Sequence, residues 1–161
     1  MRSTTRPQTG FSLIELVIVL IIMGVLVAIA IPRLSRGAEG TAATALQSDL
    51  SALRRAIELY RYEHNGLIPE NDSKFIDQMT QFTDIDGDIS PVKTATHIYG
   101  PYLATMPALP VGENKGSREV RDGGKPGDGD DGWFYDKDTG EIVANTEDDE
   151  VDGDGVPYNQ Y

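Results

Sequence analysis

Residues Phe11–Ile31 read F-S-L-I-E-L-V-I-V-L-I-I-M-G-V-L-V-A-I-A-I, an apolar run broken only by Ser12, Glu15 and Gly24. As a helix rising about 1.5 Å per residue it would be about 31 Å long, enough to cross the hydrocarbon core of a bilayer. Glu15 is the anomaly, because a carboxylate in such a run costs about 2.5 kcal/mol or more on insertion scales. A short polar leader with Arg2 and Arg6 precedes the run and ends in Gly10. A cut after Gly10 would leave a new amine on Phe11, about one helical turn from Glu15. That amine and the carboxylate could then pair, within one chain or between neighbours.

The order Gly10-Phe11-Ser12-Leu13-Ile14-Glu15-Leu16, then an apolar run, then Pro32, resembles the type IV pilin superfamily, the pilins and the pseudopilins of type II secretion. The resemblance implies that Gly10 is the last leader residue, cut by a prepilin peptidase, and that Phe11 carries the methylated amine. It implies that Glu15 sets register during assembly, and that Gly24 and Pro32 mark where the helix bends or unwinds in a filament. The implied partners are further copies of the chain, other pilin-like subunits, the prepilin peptidase, an inner-membrane assembly platform and membrane lipid. The implied place is the bacterial inner membrane, single-pass with a periplasmic C-terminus, and later a periplasmic or cell-surface filament. The leader departs from the family in ending R-P-Q-T-G, without basic residues next to the glycine. Two other readings of the run stay open. A secretory signal would use Ala28-Ile29-Ala30 as its cleavage site. A plain uncleaved anchor would let Glu15 snorkel to the interface. Arg2 and Arg6 on one side are balanced by Arg33 and Arg36 on the other, so charge alone does not orient the segment.

The chain of 161 residues is expected to divide into a leader (1–10), a membrane and filament-core helix (11–32), an amphipathic continuation (33–66) and a C-terminal α+β region (67–161). One small domain is left outside the membrane, and its core must be modest. With no cysteine, it has no disulfide to staple it. The net charge of −12 is uneven: from Asp122 onward thirteen Asp and Glu face only Lys125 and Lys137. Such a surface repels phosphate backbones, which argues against a nucleic-acid partner, and attracts cations.

Beyond Arg33 the chain reads as a continuing helix. Leu46, Leu50, Leu53, Ile57, Tyr60 and His64 recur at steps of four and three and form one apolar stripe, with Asp49, Arg54, Arg55, Glu58 and Arg61 between them. Asn65-Gly66 is a stop signal, with Pro69 beyond it. His64 reads as a helix-end residue rather than a metal ligand. Asp72–Phe82 predicts a second helix, with Phe75, Ile76, Met79 and Phe82 on one face and Asn71, Asp72 or Ser73 as its cap. Asp84, Asp86 and Asp88 alternate, but their glycine sits one place too early for an EF-hand loop, so this stretch reads as a solvated turn.

Tyr99–Leu103 and Met106–Pro110 form a proline-punctuated apolar segment that cannot be a central strand. It is expected to lie extended and bring Tyr102, Leu103 and Met106 into the core. Ser117–Arg121 predicts a short strand. Trp133–Asp136 and Glu141–Asn145 flank Lys137-Asp138-Thr139-Gly140 and predict a hairpin, with Trp133 and Tyr135 on one face and Phe134 on the other. The fold expected from all this is α+β and type IV pilin-like, a long N-terminal transmembrane helix packed on a small antiparallel β-sheet.

Two acidic, glycine-rich stretches flank the hairpin. Asp128, Asp130 and Asp131 lie in the first, and Asp148, Glu150, Asp152 and Asp154 in the second. Calcium takes six to eight oxygen ligands, and alternating carboxylates with glycine at the bend can supply them. These residues are the calcium candidates, set against an acidic tail or solvated turns without a metal. No catalytic constellation is visible: there is no Cys, no metal-spaced His pair and no phosphate loop. The expected role is structural and non-enzymatic, as a subunit of a type II secretion pseudopilus. The alternatives are a type IV pilus subunit and a membrane-anchored calcium-binding module that does not polymerise.

Overall fold

The computed structural model describes residues 12–70 and 72–161, with the side chains of 29–39 and 72 outside the description. Gly10 and Phe11, the expected processing site, and Asn71, one of the expected caps, lie outside the described residues. The chain divides into two compact units, Met1–Ala38 and Glu39–Tyr161.

A single helix, α1, spans Leu13–Glu63. Its start is set by Ser12 and Glu15: the Glu15 carboxylate accepts a hydrogen bond of 2.9 Å from the Ser12 backbone N–H. This is one half of an S-x-x-E capping box, which satisfies a donor that a helix start otherwise leaves free. Gly24 and Pro32 both fall inside the helical span. In the first unit the large apolar side chains from Leu13 to Val27 are 42–80% exposed. Among the described residues no helix is long and apolar enough to cross a membrane; the described side chains of this run end at Ala28, whereas the apolar sequence continues to Ile31.

In the second unit the predicted stripe is the core face of α1. Leu46, Leu50, Leu53, Ile57, Tyr60 and His64 are all buried. The helix stops where expected: Asn65 adopts φ 56°, Gly66 follows at φ 89°, and the Gly66 N–H reaches back 2.8 Å to the Arg61 carbonyl. That closure ties up a last-turn carbonyl, and Asn and Gly tolerate the left-handed backbone it needs. His64, next to the stop, stacks on Tyr60 at 3.8 Å. Its ring nitrogens contact the Tyr60 carbonyl at 2.8 Å and Thr83 Oγ1 at 3.0 Å. It is a hydrogen-bonded core residue.

A second helix, α2, spans Asp72–Thr80. It ends before Phe82, which instead opens strand β1 (Phe82–Thr83), paired antiparallel with β2 (Ile89–Ser90). Between them Asp84 Oδ1 accepts the N–H groups of Asp86 and Asp88 at 3.0 and 2.9 Å, so this aspartate shapes a turn. The proline-punctuated segment is anchored on α2: the N–H groups of Tyr102 and Leu103 both donate 2.9 Å to the Met79 carbonyl. Met106 is buried, and Tyr102 and Leu103 pack against the core from partly buried positions.

The main sheet contains β3 (Val120–Asp122), β4 (Trp133–Asp136) and β5 (Glu141–Ala144), in that spatial order. β4 and β5 form the predicted antiparallel hairpin, with Trp133 and Tyr135 buried and Phe134 on the other face. The expectation of a wholly antiparallel sheet does not extend to β3, which pairs parallel with β4. The physical reason is the connection. Residues 123–132 swing back along the strand direction, with Gly123, Gly124, Gly127 and Gly129 at positive φ, so β4 starts at the same end as β3. Ser117, the start of the predicted strand, bonds elsewhere, its carbonyl accepting from Leu109 N, while Glu119 O accepts from Gly132 and Trp133 N at the head of β4. A short 3-10 turn, Tyr158–Gln160, follows.

Candidate functional site

The chain has two regions to which a function can be assigned, the exposed N-terminal run and the acidic loops around the β4–β5 hairpin. In the first, Glu15 sits in the first turn of α1, with one carboxylate oxygen on the Ser12 N–H. A charge at that position is also favoured by the positive end of the helix dipole. Among the described residues Leu13, Ile14, Leu16 and Val17 surround it on the helix surface, all exposed. A carboxylate amid unpartnered apolar side chains can do two things chemically. It can accept further donors, and it can mark one register along a surface that is otherwise uniform.

The acidic loops are built differently from the expectation. Asp128 Oδ2 accepts the Lys125 N–H at 3.1 Å. Asp131 pairs with Arg121 Nη1 at 3.4 Å. Asp148 Oδ1 accepts from Asn159 Nδ2 at 2.9 Å. Glu150 divides its oxygens between the Glu113 N–H at 2.6 Å and the Glu147 N–H at 2.8 Å. Asp152 Oδ1 accepts the N–H groups of Asp154 and Val156 at 2.8 and 2.9 Å, and its Oδ2 accepts the Tyr161 hydroxyl. Asp130 and Asp154 are exposed. Each engaged carboxylate therefore faces its own local donor, and among the described residues no three His, Cys, Asp or Glu side chains gather to hold a metal. This arrangement does not fit calcium, which needs six or more oxygens turned toward one point.

The same contacts show how the loops cohere despite their charge. The Tyr161 hydroxyl and then the Val156 N–H hold the Asp152 carboxyl below the usual carboxylate range, and the shared proton pushes Tyr161 up to about 12. In the hairpin turn the Asp138 N–H does the same for Asp136. Sequence reasoning missed the residue at the centre of the region, Asn145. It is fully buried; its Nδ2 donates to the carbonyls of Asp128 and Asp131, and its Oδ1 accepts the Gly127 N–H. It also missed Arg54, whose Nη2 donates to the Ile142 carbonyl at 3.2 Å and the Tyr161 carbonyl at 2.6 Å. For Glu15 the signal was available, since S-L-I-E is a readable capping box.

Residues 5–31 match the family model described as the prokaryotic N-terminal methylation motif. The N-terminal segment of the chain is thus similar to that of the N-methylation-motif, type IV pilin-like proteins. Among its relatives is the type II secretion system core protein G of Pseudomonas aeruginosa, 30% identical over 59 residues, 37% of this chain and 42% of that protein. The Escherichia coli protein of the same name is 26% identical over 114 residues, covering 71% of this chain and 73% of the relative. A fimbrial protein of Pseudomonas aeruginosa is 36% identical over 85 residues, 51% of this chain and 55% of that protein. The chain spans about two fifths of the length of the first two curated relatives it matches. No solved structure matches it.

Proposed function

We propose that this chain is a structural subunit of a type II secretion pseudopilus. In this reading a prepilin peptidase cuts after Gly10, Phe11 becomes the methylated N-terminus, and the subunit waits in the bacterial inner membrane with its C-terminal domain in the periplasm. Subunits then polymerise through the N-terminal helix, with Glu15 fixing the register and Gly24 and Pro32 providing the bend. The assembly platform and other pilin-like subunits are its partners. The observation that carries the reading is the run of exposed apolar side chains from Leu13 to Val27, interrupted in its first turn by Glu15, inside the segment that matches the methylation motif. An apolar surface of that length has to be covered by lipid or by other helices. A second reading, a type IV pilus subunit, is favoured by the likeness to the fimbrial protein.

Intact-mass measurement and N-terminal sequencing of the membrane-extracted protein test the processing step. A chain starting at methylated Phe11 is expected. A chain starting at Ile31 would mean a secreted domain, and an intact Met1 a simple anchor; either would overturn the filament reading. Electron microscopy of sheared material then separates a short periplasmic filament from a surface pilus, and Glu15→Ala should abolish both.

A further inference from the structure

The outward face of the β4–β5 hairpin carries a groove of about 210 Å³, lined by Pro126, Phe134, Asp136, Glu141, Val143 and Asn159. Phe134 and Val143 are direct cross-strand partners, and so are Asp136 and Glu141, which sets two like charges opposite each other. Asp136 Oδ1 serves the N–H groups of Asp138 and Thr139 in the turn. Asn159 Nδ2 is committed to the Thr146 carbonyl and to Asp148, which fixes the orientation of the amide. Its Oδ1 is buried and has no donor of its own. The groove thus offers carboxylates and an aromatic ring, and a guanidinium, with five N–H donors and a flat face, suits both.

The solvent side of α1 carries the complement. Arg55, Leu59 and Tyr62 recur at i, i+4 and i+7 and so line one stripe. Leu59 is 49% and Tyr62 86% exposed, and Arg55, also exposed, has no ion-pair partner among the described residues. The opposite side of this helix and the inner face of β4–β5 fill one shared core, so the stripe and the groove both face away from it. They cannot meet inside one chain.

We propose that the Arg55–Leu59–Tyr62 stripe of one copy docks in the Phe134–Asp136–Glu141 groove of the next. This rests on the filament reading above and adds to it a contact between C-terminal domains. Two different surfaces are joined, so each new copy brings a free groove and a free stripe. Such a heterologous contact does not close as a two-fold dimer, and where its rotation does not close a ring it propagates as an open helix.

The chain has no cysteine, so disulfide trapping in the full-length protein is free of background. Filaments of the Tyr62→Cys, Glu141→Cys double variant, oxidised and run under denaturing conditions, should give a ladder of covalent dimers and higher multiples. Arg55→Glu alone, and Glu141→Arg alone, should each lower filament yield by about tenfold, and the two together should restore most of it. Glu141→Arg places a cation opposite Asp136 and leaves the hairpin folded, which circular dichroism checks. Filaments of the double-cysteine variant that give no ladder, a cross-link to a different protein, or full assembly of Arg55→Glu would each overturn the docking contact and leave the filament reading intact. Failure of the wild-type chain to form filaments at all would overturn both.

Discussion

Replacing Asn145 by alanine removes three hydrogen bonds at once from a fully buried position. Nδ2 donates to Asp128 O at 3.0 Å and Asp131 O at 2.9 Å, and Oδ1 accepts Gly127 N–H at 2.8 Å. At about 0.5–1.5 kcal/mol each, offset in part by water entering the loop, the expected loss is about 2–4 kcal/mol. With a urea slope of about 1–3 kcal/mol per molar, the midpoint should fall by about 1–2 M. Trp133 is the sole tryptophan, and its neighbour Gly132 accepts the Asn145 backbone N–H at 3.0 Å. Its fluorescence in the detergent-solubilised full chain therefore reports the transition at the site itself. The loop 123–132 should become a cutting site for a nonspecific protease at the same time. Asn145→Asp keeps the shape but sets a carboxylate against two carbonyls. It should cost at least as much at pH 7 and recover in part on acidification, when the protonated carboxyl regains a donor. A loss under about 0.5 kcal/mol with unchanged proteolysis would refute the idea that Asn145 holds the loop.

Other outcomes follow from the core and the turns. Leu50→Ala, fully inside the helix–sheet core, should cost about 2–5 kcal/mol in the same urea assay. Gly132→Ala would place a Cβ 2.5 Å from the Ser117 carbonyl oxygen, and the forced backbone shift should cost about 1–3 kcal/mol. Arg54→Met keeps most of the packing but removes the guanidinium that bonds Ile142 O and Tyr161 O; about 1–3 kcal/mol should be lost, with earlier hydrogen exchange in residues 150–161. Burial first of all raises Tyr60 to about 12 and pushes Tyr102 and Tyr135 up as well. Their unfolded phenols ionise near 10, so the stability they contribute is complete below that pH and is lost as pH rises through the folded values. Absorbance at 295 nm should show these phenols ionising late and together with unfolding. Titration of all seven tyrosines near pH 10 with the fold intact would contradict this.

What the sequence made legible was periodic. The alternating fours and threes from Leu46 to His64, and the alternation of Trp133, Phe134 and Tyr135, report which side of an element is buried, and the structure buries those sides. The stop at Asn65-Gly66 was equally plain because few residues accept positive φ. The parallel placement of β3 was not legible, because it depends on how the glycines of 123–132 steer the chain and not on any pattern within the strand. Asn145 and Arg54 were hidden for a related reason. Their partners are backbone carbonyls, which every residue has, so no side-chain motif announces the bond. The acidic loops misled in the opposite direction: Asp128, Glu150 and Asp152 look like a ligand set in the sequence, yet each finds a main-chain N–H close by.

The C-terminal region is held by Asn145, Asp152 and Arg54, all acting through main-chain groups, in a chain without a thiol. Its closure is therefore indifferent to redox potential. No oxidant has to be met, no oxidoreductase has to sort pairings, and a reductant removes nothing. The region can reach its final form as soon as its residues have emerged, whatever the thiol balance of its surroundings.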